Sequence, residues 1–227
     1  MELFDKKGNK IHINTDKFIQ IGSGCFGKVY RTESGAFKTI NSGCIYPVDP
    51  KVLEYLRDAK LKGFYKIKDI YYDKNDEVKA YTMKFYDQIK INLLENKDYL
   101  IESIYNIYHS ILELSSQHIK CLDLMDRNVI KTPKGLKVID CDFYAKTKFN
   151  AELSNLMILL DTLMEMLGAD IDDLLNRDLS LYRIYHDCSH TDLMKHIFID
   201  TDLKKCIENL LIELDKCNKP YEYLLRK

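Results

Sequence analysis

The sequence predicts an α+β protein with two lobes, a strand-rich first lobe over residues 1–88 and a helical second lobe over residues 89–227. In residues 10–90, short apolar, β-branched and aromatic runs alternate with Gly, Asn and Asp, a pattern typical of strands joined by turns. From about residue 97, apolar residues recur three and four positions apart, as they do on amphipathic helices. We therefore expect an antiparallel sheet with one helix, followed by a reduced helical lobe.

Five runs predict the strands of the first lobe: Phe18–Ile21, Lys28–Arg31, Ala36–Ile40, Phe64–Tyr72 and Val78–Phe85. One helix interrupts them. Asp49 supplies an N-cap, Pro50 suits the first helical position, and the apolar residues that follow repeat at helical spacing.

The second lobe contains three predicted helices and one hairpin. Apolar residues from Leu100 to Leu114 define the first helix, and those from Leu203 to Leu214 define the last. The segment Leu153–Leu167 is apolar almost all round, which predicts a buried helix closed by Gly168. Between the first two helices, the turn Thr132-Pro133-Lys134-Gly135 joins two short apolar runs into a β-hairpin.

Composition excludes several classes of function. A chain of 227 residues that is 46% hydrophobic can build a sizeable core. The 34 basic and 35 acidic residues balance, and no run of five like charges occurs, so we expect no nucleic-acid partner. No apolar segment is long enough for a signal peptide or a membrane span. Seven cysteines without C-x-x-C spacing predict reduced thiols in a cytoplasm, that of its own cell or of a host.

A glycine-rich motif lies between the first two predicted strands. Residues 22–29 read Gly-Ser-Gly-Cys-Phe-Gly-Lys-Val, a G-x-G-x-x-G-x-V pattern. In a dinucleotide-binding fold the third glycine would open a helix, whereas here the chain continues as a strand. Glycines in such a turn let backbone N–H groups approach phosphate oxygens closely. The alternative is an ordinary glycine-rich hairpin.

Two charged residues follow this motif at positions that suit a phosphate-binding site. Lys38 lies in the strand Ala36–Ile40, where its ammonium group can neutralise phosphates, and Glu54 on the Asp49-capped helix is the predicted carboxylate that orients it. Taken singly, each is also consistent with a solvated surface charge.

The second lobe supplies oxygen ligands and a carboxylate. Asp123 and Asn128 are five positions apart in a predicted loop, and Asp140 ends an apolar strand. Phosphoryl transfer requires a carboxylate to orient the attacking hydroxyl and oxygen ligands to hold Mg²⁺ on the triphosphate. Those roles suit Asp123 and the pair Asn128 and Asp140, respectively.

In this order the motifs resemble those of the eukaryotic-type protein kinase family, from Ile21 to Asp140. The resemblance implies that ATP lies between the lobes, that Lys38 contacts its phosphates, and that Asp123 is the catalytic carboxylate. It also implies Mg²⁺ at Asn128 and Asp140. The nucleotide-binding residues that it implies, with Phe85 in the adenine-binding hinge Met83–Tyr86, are Ile21, Gly22, Gly24, Gly27, Val29, Lys38 and Phe85.

The chain departs from the family at several motifs. Cys121-Leu122-Asp123 replaces His-Arg-Asp, and Asp140-Cys141-Asp142 replaces Asp-Phe-Gly. Asp142 is therefore an auxiliary metal ligand or a rival to Asp140. Met125 stands where a lysine is usual, no Ala-Pro-Glu follows, and the activation segment is very short. Glu152 stands where the family has an aspartate that braces the catalytic loop; the alternative is a plain acidic residue at a helix N-terminus.

These features predict an ATP- and Mg²⁺-dependent phosphotransferase, with Ser/Thr hydroxyls of a protein substrate as the first expectation. The short activation segment and Met125 favour the alternative of a small-molecule acceptor, as in the related antibiotic and choline kinases. The altered Asp140-Cys141-Asp142 motif keeps open a third possibility, a pseudokinase that binds nucleotide without turnover. Oligomeric state is not predicted.

Overall fold

The computed structural model describes residues 1–24, 26–41, 48–166 and 203–217. It is an α+β structure with a large antiparallel sheet and several helices, as the sequence predicts. The strands are β1 (Glu2–Phe4), β2 (Lys10–His12), β3 (Ile19–Gly24), β4 (Gly27–Thr32), β5 (Gly35–Ile40), β6 (Ile67–Tyr72), β7 (Val78–Met83), β8 (Ile119–Lys120), β9 (Val129–Thr132), β10 (Gly135–Val138) and β11 (Ala145–Lys146). The helices are α1 (Pro50–Asp58), α2 (Lys97–Ser116), α3 (Glu152–Met166) and α4 (Leu203–Asp215).

The first seven strands form one antiparallel sheet in the order β2-β1-β6-β7-β5-β4-β3. All five predicted strands of the first part are present in it. The hairpin β1–β2 was not predicted and extends the sheet at one edge, where Phe4 pairs with Tyr72. Its sequence signal is the alternation of Leu3, Ile11 and Ile13 around the turn at Gly8, whose φ is +80°.

Helix α1 begins as predicted. The Asp49 side chain accepts a hydrogen bond from the backbone N–H of Lys51, and Pro50 occupies the first turn. The buried face of α1 consists of Val52, Leu53 and Leu56, which pack against β6. This packing fixes the rotation of the helix about its axis.

The second part is built around α2, which contacts α3, α4 and the hairpin β9–β10. That hairpin and the last helix, α4, confirm two predictions. The predicted closure of α3 at Gly168 lies outside the described residues. The short strands β8 and β11 pair with each other and were not predicted.

One apolar core runs through both parts, from Val48 and α1 to Leu214 in α4. The parts are also joined through the backbone, because Gly63 and Tyr65 exchange hydrogen bonds with Val138 of β10 at 2.8 and 2.9 Å. The predicted division at residues 88 and 89 stays a prediction. Among the described helices, none combines the length and apolar character needed to cross a membrane.

Candidate active site

A cavity of about 140 Å³ lies between the sheet and the hairpin β9–β10. Its upper wall follows from strand register: Val29 pairs with Lys38, and Lys38 pairs with Tyr81, so these three side chains form a row on one face of β4, β5 and β7. The lower wall comes from Ile130 and Ile139. The remaining lining residues that bear on the predictions are Ile21, Ala36, Met83, Lys84, Phe85, Tyr86 and Asp140.

The glycine-rich motif forms the hairpin β3–β4, which borders this cavity. Gly22 pairs with Val29, and Gly24 pairs with Gly27. A Cβ atom on Gly27 would lie 1.8 Å from the Thr39 carbonyl oxygen of β5, so the strand packing itself requires glycine there. A Cβ atom on Gly24 would meet nothing within 4 Å. The packing of the hairpin therefore does not itself require glycine at position 24.

The tip of this hairpin touches the second half of the molecule. Phe26 packs edge-on against Phe143, with ring centroids 4.2 Å apart and planes at 89°. Edge-to-face aromatic pairs of this kind contribute about 0.5–1.5 kcal/mol beyond their buried area. The glycine hairpin is thus held down next to the segment that follows Asp142.

Lys38 lies at the centre of the cavity, 4% exposed. Its Nζ is 2.5 Å from Asp140 Oδ1 and 2.6 Å from Asp142 Oδ2. Burial alone would lower the pKa of this ammonium group, but the charges of Asp142 and Asp140 raise it above the ordinary value. Lys38 is therefore a buried cation with two carboxylate partners.

The predicted ion pair between Lys38 and Glu54 is not formed. Glu54 Oε1 instead lies 2.7 Å from Lys6 Nζ and accepts a hydrogen bond from the Tyr72 hydroxyl at 3.2 Å. The hydrogen bond from Lys6 is the main cause that lowers the pKa of Glu54. At 100° per residue, Glu54 lies about 150° around α1 from the middle of its buried face, so it points away from the cavity. The buried face of α1 carries no acidic residue.

Asp142 occupies the place expected of that carboxylate. Its side chain is 3% exposed, with Oδ2 on Lys38 and Oδ1 accepting a hydrogen bond from the Tyr81 hydroxyl at 2.8 Å. Burial raises the pKa of Asp142 against the opposing effect of Lys38. Because both oxygens already contact protein groups, this geometry disfavours the predicted role of Asp142 as a metal ligand. Tyr81 was not identified from the sequence, where it is one of sixteen tyrosines.

Asp140 differs from Asp142 in exposure and backbone. Its side chain is 37% exposed and borders the cavity. Its φ of +61° lies in the left-handed region, which residues other than glycine seldom adopt. Such conformations persist where surrounding contacts enforce them and are concentrated at functional sites. Of the two aspartates, Asp140 is the one placed to meet a ligand.

Asp123 and Asn128 form a second pair of polar groups. Asn128 Nδ2 donates to the Asp123 carboxylate at 3.0 Å and to the Asp123 carbonyl oxygen at 2.9 Å. Arg127 lies 3.5 Å from the other carboxylate oxygen. Burial raises the pKa of Asp123, which also responds to the charges of Asp140 and Lys38. The predicted carboxylate, amide and lysine are therefore close enough to interact electrostatically.

Buried polar groups of α3 brace the loop that carries Asp123. Asn155, fully buried, accepts from the Cys121 N–H at 2.8 Å and donates to the Ile119 carbonyl oxygen at 2.8 Å. Thr162 donates to the Leu124 carbonyl oxygen at 3.0 Å. The brace was predicted at Glu152, which instead pairs with Lys204 at 2.9 Å. Asn155 was not predicted from the sequence, because α3 also carries Ser154, Asp161 and Glu165 and no spacing marks Asn155 as a buried polar residue.

The available oxygens fit a magnesium ion shared with phosphates. Asp140 offers a partly exposed carboxylate, and Asn128 offers its amide oxygen because its nitrogen is committed to Asp123. Within the described ranges, no cluster of three or more His, Cys, Asp or Glu side chains forms a self-contained metal site. Mg²⁺ typically takes one or two carboxylates and completes its shell with substrate phosphates and water. The donor set is consistent with that mode of binding.

A second cavity, of about 490 Å³, is lined by Asp123. Its walls are mainly apolar, with Arg127 as the one cationic side chain among the lining residues in the described part of the chain. The lining consists of Phe26, Leu122, Asp123, Arg127, Asp142, Phe143, Tyr144 and Ala145. Asp123 thus lines the wider cavity, whereas Asp140 lines the smaller one next to Lys38.

Comparison with known proteins adds no family. No protein-family model matches the chain, and a search of curated proteins found no match.

Proposed function

We propose that the chain is a two-lobed, protein-kinase-like phosphotransferase that uses ATP and Mg²⁺ to phosphorylate a hydroxyl group. One observation carries the proposal: a buried lysine paired with a partly exposed aspartate lines a cavity beside the glycine hairpin, and a hydrogen-bonded aspartate–asparagine pair lies near enough to respond to both charges. Phosphoryl transfer depends on positioning and charge neutralisation more than on covalent chemistry by the protein. This set of groups supplies both.

The proposed roles follow from exposure and contacts. The apolar walls of the smaller cavity, with Phe85 at its rim, would hold the adenine, and the glycine hairpin would cover the phosphates. Lys38 would neutralise phosphate oxygens, while Asp140 and Asn128 would hold the metal. When bound, Mg²⁺ neutralises developing charge on the transferred phosphoryl group. Asp123, whose pKa is raised by burial, would orient the acceptor hydroxyl and accept its proton.

The first expected acceptor is a Ser or Thr hydroxyl of a protein, because the glycine motif resembles that of protein kinases. One observation favours a second candidate, a small molecule. Only nine residues separate Asp142 from α3, and two of them, Ala145 and Lys146, pair with β8. That leaves little chain to support an extended peptide, whereas the cavity of about 490 Å³ beside Asp123 has the size of small-ligand pockets.

The decisive experiment measures phosphate transfer from ATP labelled in its γ-phosphate, first to a cell lysate and then to pools of hydroxyl-bearing metabolites. Asp123→Asn should reduce transfer by about 10²–10⁴-fold, the usual contribution of a general base, with ATP binding retained. Asp126→Asn is the matched control, because Asp126 lies in the same loop but is exposed and directs its carboxylate to the Arg127 N–H.

The outcome separates the candidates. Labelled protein that disappears with Asp123→Asn supports a protein kinase, and labelled metabolite supports a small-molecule kinase. ATP binding without any transfer would replace the proposal with a pseudokinase. Equal transfer by Asp123→Asn and Asp126→Asn would show that Asp123 is not the base.

A further inference from the structure

The buried lysine of the candidate site has an anchor that the family pattern does not contain. In the resembled pattern, a glutamate on the helix after the lysine strand orients the ammonium group. Here Glu54 faces the opposite way and is engaged by Lys6 and Tyr72. The carboxylate that reaches Lys38 from a buried position is Asp142, at 2.6 Å.

We propose that Asp142, held by Tyr81, is the positioning residue for Lys38 and replaces Glu54 in that role. This inference rests on the proposed function for its consequence in catalysis, but its structural content concerns only the lysine and its neighbours. It assigns the two aspartates of the Asp-Cys-Asp motif to different tasks. Asp142 fixes the lysine, and Asp140 faces the ligand.

Burial separates the two tasks. Asp142 is 3% exposed, and its oxygens are divided between Lys38 and the Tyr81 hydroxyl. Asp140 is 37% exposed, so it can turn from Lys38 to a metal or to water. When phosphates enter, Lys38 retains its Asp142 contact while its Asp140 contact is released. Because Lys38 stays paired with Asp142, its ammonium group keeps its charge and its orientation before any nucleotide binds.

The anchor is built into the sheet. Lys38 and Tyr81 are cross-strand partners of β5 and β7, so their side chains lie next to each other on the same face. The Tyr81 hydroxyl donates to Asp142 at 2.8 Å and accepts from the Tyr65 hydroxyl at 3.3 Å. All four side chains of this chain of contacts, Tyr65, Tyr81, Asp142 and Lys38, are buried. The Tyr81 hydroxyl therefore occupies Oδ1 of Asp142. Oδ2, which accepts no hydrogen bond within the described residues, is left to its ion pair with the lysine.

The test compares Asp142→Asn with Glu54→Gln, two variants that each remove one carboxylate charge without changing side-chain size. The first readout needs no nucleotide: the rate at which an amine-specific acylating reagent modifies Lys38, followed by mass spectrometry. Lys38 is buried and its ammonium group lies 2.6 Å from Asp142, so the reagent reaches the amine only when that contact opens. We expect Asp142→Asn to raise the rate about tenfold or more and Glu54→Gln to leave it unchanged.

The second readout is kinetic and depends on the proposed function. Asp142→Asn should lower kcat/KM for ATP by about tenfold or more, mostly through kcat, whereas Glu54→Gln should change it less than about twofold. If neither the parent protein nor any variant turns over ATP but the labelling rates still separate, the phosphotransferase proposal fails and the lysine anchor stands.

A third variant keeps the test valid if Asp142→Asn does not fold. Tyr81→Phe removes only the hydroxyl that donates to Asp142 and should raise the Lys38 labelling rate in the same direction by a smaller factor. Asp142→Glu restores the charge and should return the labelling rate toward that of the parent protein. Equal labelling in the parent, Asp142→Asn and Tyr81→Phe proteins, or faster labelling in Glu54→Gln than in either, would overturn the inference.

Discussion

Glu54 and Asp142 are both carboxylates paired with a lysine, yet they belong to opposite regions of the molecule. Glu54 sits at an edge, where its partner Lys6 has a side chain that is 61% exposed. Asp142 sits at the centre, where its partner Lys38 has a side chain that is 5% exposed. Water screens the first pair and is excluded from the second. The role of each carboxylate is therefore set by whether its side chain faces solvent or the interior. Sequence spacing alone does not reveal that direction.

The largest test of this comparison is removal of the central ammonium group. Lys38→Met keeps most of the side-chain volume but leaves Asp142 charged, buried and without its cation. Breaking one side of a buried pair costs about 3–5 kcal/mol, and we expect a loss of that size in the free energy of unfolding measured with urea. In Lys38→Met/Asp142→Asn the orphaned charge is absent, so part of the loss should be recovered. If Lys38→Met is as stable as the parent protein, Asp142 at the centre of the molecule is as well hydrated as Glu54 at its edge.

The pH dependence of the stability of Lys38→Met tests the same comparison. Burial already raises the pKa of Asp142, and loss of Lys38 removes the main effect that opposes this rise. Folded Lys38→Met then binds a proton that the unfolded chain does not, so its stability increases as the pH falls from 7 toward 4. The gain should reach up to about 1.4 kcal/mol per pH unit, relative to the parent protein, in urea titrations at several pH values. A stability difference between the two proteins that does not vary with pH would place the orphaned charge elsewhere.

A smaller effect is expected from the hydroxyl that supports the central carboxylate. Tyr81→Phe removes a hydrogen bond to a charged group, and such bonds contribute about 1.5–3 kcal/mol. Thermal unfolding should show the loss. Tyr30→Phe is the control, since Tyr30 lies in strand β4 of the same sheet and is only partly buried. Equal losses in the two variants would mean that the Asp142 contact adds nothing specific.

The smallest effect belongs to the exposed edge. Lys6→Ala breaks the pair with Glu54, and exposed ion pairs contribute about 0–1 kcal/mol. We expect a change of at most that size, which should vanish when the salt concentration is raised because exposed charges are screened. A loss comparable to that of Lys38→Met would remove the distinction between edge and centre.

Local patterns were sufficient to predict most elements. The Asp49-Pro50 cap, the strand around Lys38 and the hairpin after Asn128 each combine a turn or cap signal with an apolar run, so the described structure contains them. The edge hairpin β1–β2 was missed because its strands are three residues long.

The site was predicted where it depends on order along the chain and missed where it depends on rotation and packing. Asp123 and Asn128 hydrogen-bond each other within one short loop, whose last three residues, Asp126–Asn128, form a 3-10 turn. The predicted ion pair between Lys38 and Glu54 is wrong because the buried apolar residues of α1 turn Glu54 away from Lys38. The prediction placed Glu54 on the helix without working out which face of the helix is buried. Asp140 and Asp142 are two positions apart, and only the positive φ of Asp140 and the burial of Asp142 separate their roles.

The packing of the β3–β4 hairpin requires glycine at only one of its three glycine positions. At Gly27 a methyl group collides with the backbone of β5, whereas at Gly24 it meets open space and at Gly22 it makes ordinary contact with Val29 at 3.8 Å. A mutational scan scored by folding alone would therefore eliminate substitutions at Gly27 and accept alanine at the other two. Under the proposed nucleotide binding, a scan scored by ligand-dependent fitness is expected to eliminate all three. Within six residues, tolerance to substitution distinguishes what the architecture demands from what the chemistry demands.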